Sequence, residues 1–188
     1  MKKITAATAL ALLMSACAST QPTTTAVSTL PVAEAPLKFA ITGKIGITTV
    51  SDNGKQAGSA FYAWSQENQR FGIDLTGALG IGATQIRYNG TTATLTSERT
   101  GTISADSPED LLYTATGWQA PISQLPYWIV GRATPDDTDT ATDSSGRLIR
   151  ATHGAWLAVF DYDKGNQPSR LRISHSDGHK VTLSITHQ

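Results

Sequence analysis

The stretch "FGIDLTGALGIGATQIRYNG", Phe71 to Gly90, decides how the chain is to be read. In its first part Phe71, Ile73 and Leu75 alternate with Gly72 and Asp74, and near its end Ile86 and Tyr88 sit two apart around Arg87. Successive side chains of a strand point to opposite faces, so a period of two predicts half-buried antiparallel strands and not helices. Asn89-Gly90 is a hairpin turn signal. Between the two runs, Leu79 and Ile81 stand among Gly77, Gly80 and Gly82, with no charge and no alternation to bury them. The connection is flexible and apolar, an unusual pairing.

Working outward, the same period recurs. Phe39, Ile41, Ile45 and Ile47 form one run, and Phe61 and Ala63 alternate with Tyr62 and Trp64, with the turn signal Asn53-Gly54 between the two runs. Strands are predicted at Ala83–Asn89, Thr92–Ser97 and Thr100–Ala105, making six in succession. The period then changes. Ser107 is an N-cap followed by Pro108, Glu109 and Asp110, with Leu111, Leu112 and Ala115 at helical spacing and Gly117 as terminator. A second short helix is predicted over Ile122–Val130, with Leu125, Trp128 and Ile129 on one side and Pro126 in its first turn. Thr134–Gly146 is a polar loop, and strands at Arg147–Thr152, Ala155–Tyr162, Ser169–His175 and Lys180–His187 close the chain. Two small helices cannot flank both faces of so large a sheet; they cover one side of a curved sheet or block one opening.

The N-terminus bears on location. Met1-Lys2-Lys3 precedes an apolar stretch, Ile4 to Met14, too short to span a bilayer, as in a secretory signal. It ends at Leu13-Met14-Ser15-Ala16-Cys17, which resembles a bacterial lipobox, and Cys17 is the chain's single cysteine. Residues 1–16 are then a lipoprotein signal peptide, Cys17 is lipidated, and residues 17–36 form a tether poor in large apolar side chains and unable to fold alone. A tether of that length spans about 25 Å on average. Ala18 stands where aspartate retains many such lipoproteins in the inner membrane, so the expected destination is the outer membrane, with residues 37–188 as one domain on its periplasmic side. Lysine plus arginine equal aspartate plus glutamate at 15 each, so no overall field draws the chain to nucleic acid or to an anionic membrane.

From Phe39 to Ile185 the chain resembles the LolB family. The resemblance is carried by the lipobox with Ala18, by Trp64-Ser65-Gln66 and by Leu79-Gly80. It continues in Gly117-x-x-Ala120-Pro121-Ile122, in Leu125-Pro126-Tyr127-Trp128-Ile129-Val130-Gly131, and in Trp156-Leu157-Ala158-Val159-Phe160-Asp161-Tyr162 followed by Pro168. The family's loop usually reads Asn-Pro-Leu-Gly where this chain has Gly77-Ala78-Leu79-Gly80, and its longer helical segment before the first strand is here a Thr/Pro-rich tether. The resemblance implies a mainly β fold with a few helices, an unclosed antiparallel β-barrel of about 10–11 strands, covered by a helical lid over an apolar cavity. It implies an outer-membrane receptor, a monomer, that accepts acylated lipoprotein cargo from the periplasmic carrier LolA and inserts it into the inner leaflet of the outer membrane. Leu79 matches the family's protruding leucine, and with Gly80 and Ile81 it forms the expected membrane-insertion loop. Phe71, Ile73, Leu75, Ile86, Tyr88, Leu111, Leu125 and Ile129 are the expected cavity lining.

Moving an acyl anchor breaks no covalent bond, so no catalyst, metal or cofactor is expected. No Gly-x-Ser-x-Gly or phosphate-binding glycine loop is present. His175 and His179 bracket a turn without a third ligand, and Asp137-x-Asp139 lacks the glycine and the closing acid of a calcium loop. The alternative reading of the same features is an accessory envelope-assembly lipoprotein acting through protein contacts. The two differ on whether the barrel interior is hollow.

Overall fold

The structure, a computed structural model, describes residues 37–52, 54–77, 83–98 and 101–188. The signal peptide, Cys17, the tether, Asn53, and Leu79, Gly80 and Ile81 lie outside the described residues. Six strands come first: β1 (Lys38–Ser51), β2 (Gly54–Glu67), β3 (Arg70–Thr76), β4 (Thr84–Tyr88), β5 (Ala93–Ser97) and β6 (Gly101–Ala105). Helix α1 (Pro108–Thr116), a 3-10 turn (Ile122–Gln124) and helix α2 (Leu125–Ile129) follow. Then come β7 (Ala141–Thr142), β8 (Leu148–His153), β9 (Trp156–Asp161), β10 (Arg170–His175) and β11 (Lys180–His187).

All eleven strands form one antiparallel sheet in the order β6-β5-β4-β3-β2-β1-β11-β10-β9-β8-β7. The edge strands β6 and β7 are not hydrogen-bonded to each other, so the barrel is unclosed. The joint at its centre is the pairing of β1 with β11, which brings together the two ends of the described chain.

Local chemistry explains the helices. The Ser107 hydroxyl accepts the Asp110 N–H at 3.0 Å, and Glu109 and Asp110 lie at the positive helix end. Gly117 ends α1 in a left-handed conformation, φ 70°, and donates its N–H to the Tyr113 carbonyl at 2.7 Å. The helix predicted over Ile122–Val130 is divided into a 3-10 turn and α2. Pro126 has no N–H to donate to Ile122, so the ladder instead starts with Leu125 donating to Ile122. Ala141–Thr142, expected in a polar loop, pairs with β8 as a two-residue strand. Beside it the Asp143 carboxylate accepts backbone N–H groups of Arg147 and Ser145 and the Arg147 side chain, and these bonds hold its pKa below the usual carboxylate range.

Cross-strand register divides the sheet into two faces. The inner face carries Ile41, Trp64, Ile73, Ile86, Leu95 and Ile103 as one row across six strands. Over β8 to β11 this face is sealed: Leu148, Phe160, Leu171, Ile173, Val181 and Leu183 are buried together with Trp128 and Ile129 of α2. Helix α1 packs elsewhere, against β5 and β6. The two helices thus cover different parts of the sheet.

Candidate functional site

The expected cavity residues fall into three groups. Phe71 (8% exposed), Ile73 (9%) and Ile129 (0%) belong to the buried core. Leu75, Ile86, Tyr88 and Leu125 are half-buried and packed against that core. Leu111 (2% exposed) is buried on α1 but does not belong to the same cluster. The list therefore mixes side chains whose surface is consumed by packing with others that keep some of it uncovered.

Ile45 and Ile47 on β1 share the second condition, and the sequence reading left them out of the lining. In the register of the β1–β2 hairpin, Ile45 lies opposite Ala60 and Ile47 opposite Gly58. These small partners fill little of the space above the sheet. Ser51 pairs with Gly54, so counting outward from an Asn53-Gly54 turn would have placed Ile45 opposite Tyr62 and missed this pairing of large with small. Incompletely buried apolar side chains of the inner face thus stand at Ile45 and Ile47 on β1, Leu75 on β3 and Ile86 on β4, on either side of the buried Ala60, Tyr62 and Trp64 of β2.

Polar and aromatic side chains of the same inner face lie between and beside these residues and tie the sheet together. Tyr62 crosses β1 to donate its hydroxyl to the Ser184 carbonyl of β11 at 2.9 Å, and burial raises its pKa. Gly43 makes the crossing possible, because a Cβ there would come 1.8 Å from the Ser184 oxygen and 3.1 Å from the Tyr62 ring. Trp64 donates Nε1 to Gln66 Oε1 at 2.9 Å, and Gln66 donates to the Asn68 carbonyl at 2.6 Å. The rings of Phe39, Trp64, Phe71 and Tyr88 form a run with centroids 5.6 to 6.0 Å apart. Tyr88, expected in the lining, is thus a member of this aromatic run.

The other features the sequence raised have structural partners. His175 and His179 meet across their hairpin with ring centroids 5.8 Å apart, but His175 stacks near Trp156 and His179 accepts the Val50 N–H through Nδ1. Among the described residues no group of three or more potential metal ligands occurs. Asp137 accepts from Trp128 Nε1 at 3.0 Å and from the Thr134 N–H at 2.8 Å, bracing α2, while Asp139 pairs with Arg150. No helix among the described residues is long and apolar enough to cross a membrane.

An unclosed antiparallel barrel with short helices packed on separate parts of its sheet defines the class of fold to which this chain belongs. The family model for the outer membrane lipoprotein LolB matches residues 37–187. The outer-membrane lipoprotein LolB of Stutzerimonas stutzeri (strain A1501) is 33% identical over 150 residues, covering 77% of this chain and 69% of that protein. The LolB of Pseudomonas aeruginosa (strain UCBPP-PA14) is 34% identical, covering 77% and 71%. The crystal structure of a LolA superfamily protein from Nitrosomonas europaea is similar at a TM-score of 0.48 and 12% identity, over 79% of this chain and 84% of that one. This chain belongs to the LolB family.

Proposed function

We propose that this protein is an outer-membrane lipoprotein, anchored through Cys17, that accepts acylated lipoproteins from the periplasmic carrier LolA and releases them into the outer membrane's inner leaflet. The observation that supports this reading is the set of incompletely buried apolar side chains, Ile45, Ile47, Leu75 and Ile86, on the inner face of an unclosed sheet. An acyl chain covers that surface at a gain of roughly 25 cal/mol for each Å² taken from water. The process is binding and release, with no chemistry and no cofactor. Leu79 and Ile81, with Gly80 between them, supply the contact with the bilayer. Burying one leucine yields roughly 1.5–3 kcal/mol, enough for a reversible touch and too little to anchor.

A fluorescent acyl-chain probe tests the cavity. The protein binds it at low micromolar concentration or better. Leu75→Trp, which fills the space from β3, weakens probe binding while the far-ultraviolet spectrum stays that of the parent. Absence of probe binding by the folded protein would reject the reading and favour the alternative, an assembly factor working through protein contacts.

A further inference from the structure

The chain is neutral overall, but its charges are segregated by the sheet. On the outer face one cross-strand row runs Thr76, Phe61, Lys44, Ser184, Arg170, Asp161 across β3, β2, β1, β11, β10 and β9. On the same face Arg172 lies in the next row, Lys180 in the row beyond that and Lys55 further out, toward the β1–β2 turn. The acids in this face's strands, Glu67, Asp74 and Asp161, each face a cation of the same face: Lys38, Arg87 and Arg172. Lys44, Lys55, Arg170 and Lys180 are exposed and form no ion pair among the described residues. The remaining acids lie mainly in helix α1 and in loops, as Glu109, Asp110, Asp136 and Asp163 do.

Within this basic face stands Phe61, 63% exposed, directly opposite Lys44. Its ring adjoins Gly77 at the end of the described part of the β3–β4 connection; a Cβ there would sit 3.7 Å from the ring. Its same-face neighbours Ser59, Ala63, Thr42 and Thr76 are short, so the ring stands clear of them. A protein interface is depleted of charge at its core and built around clustered apolar anchors. Here there is one aromatic among spaced, flexible cations, with strands about 4.8 Å apart. That pattern suits a surface of phosphate headgroups with an apolar layer just beneath.

We infer that the outer face around Phe61, Lys44, Arg170 and Lys180 docks on an anionic phospholipid surface, with Phe61 entering the headgroup boundary. The inference rests on the proposed role as a membrane-facing receptor and adds how the barrel lies at the bilayer during release. Each lysine or arginine near such a surface strengthens docking roughly fivefold, and added salt removes the gain.

The test uses the full lipidated chain reconstituted in vesicles, with a nitroxide on Ala63→Cys, an exposed position two residues from Phe61 on the same face. In phosphatidylethanolamine vesicles containing about a quarter phosphatidylglycerol, the label is shielded from a water-soluble nickel quencher. In vesicles of phosphatidylethanolamine and phosphatidylcholine the label is open to the quencher, and so it is for Lys44→Glu/Arg170→Glu/Lys180→Glu in anionic vesicles. Phe61→Ser shows partial shielding. A label equally accessible in both vesicle types overturns the inference. So does a triple variant that stays shielded, or one that is unchanged at the membrane but no longer accepts cargo from the carrier, since the face would then serve an acidic protein. If the wild type docks but never accepts cargo, the receptor reading fails and the docking surface stands.

Discussion

Tyr62 shows how one residue ties the sheet's central joint. Its hydroxyl reaches β11 through the space left by Gly43, so β2 and β11 are linked across the strand between them. Gly43→Ala places a Cβ against backbone that cannot move aside, and we expect a loss of about 3 kcal/mol in chemical denaturation, large for a single methyl group. Tyr62→Phe removes one buried hydrogen bond and leaves the Ser184 carbonyl without it, at a cost of about 1–2 kcal/mol. The same phenol sets an alkaline limit. Burial raises its folded-state pKa above the unfolded value of about 10. Its contribution is therefore complete below that pH and declines as pH rises through it, because the unfolded chain ionises first. Melting temperatures recorded at increasing alkaline pH should fall more steeply for the wild type than for Tyr62→Phe. None of this was legible in the sequence, where Tyr62 appears only as one apolar member of an alternating strand, because the partner is 122 residues away.

Among the elements, α1 was legible down to its caps because capping is local: Ser107, the first-turn acids and Gly117 act within a few residues of each other. Ser107→Ala should cost about 1 kcal/mol, seen as a lower denaturant midpoint with an unchanged slope. Ser107→Asp, which keeps an acceptor at the cap, should restore most of it. The division of the second helix follows from Pro126, and the tolerance of proline in a first turn is correct for α2 but hides the 3-10 turn before it. The two-residue β7 left no periodic trace, since period two needs more than one repeat to be seen. The bounds of β4 to β6 and of β8 to β11 were legible to within a residue, whereas β1 and β2 extend well past the apolar runs Phe39 to Ile47 and Phe61 to Trp64, into polar residues beside the turn. Strand partners were legible in the hairpins and not in the β1–β11 closure, which depends on the order of the whole sheet.

For the whole molecule, composition concealed what register displays. Equal counts of acids and bases gave no reason to expect an anionic surface as a partner, yet β pairing gathers unpaired cations on one face and leaves the inner face apolar. Of the candidate lining, the inward direction of Leu75 and Ile86 follows from alternation, whereas Ile45 and Ile47 require the hairpin register, and the packing of Phe71 and Ile73 into one core with Ile129 of α2 requires tertiary contacts that alternation does not encode. The proposed membrane contact predicts that Leu79→Glu leaves cargo acceptance and melting temperature near the parent values and depresses delivery into liposomes, because a charge opposes entry into the bilayer. Leu79→Phe should preserve delivery. Equal losses of acceptance, stability and delivery in Leu79→Glu would instead assign that leucine to the folded core. The most direct measurement is transfer itself: the carrier loaded with an acylated lipoprotein is mixed with this protein, expressed from residue 18 onward behind a cleavable signal so that no anchor contributes. The account predicts that cargo leaves the carrier and co-purifies with this protein, less so with Leu75→Trp; a folded protein that leaves all cargo on the carrier would contradict it.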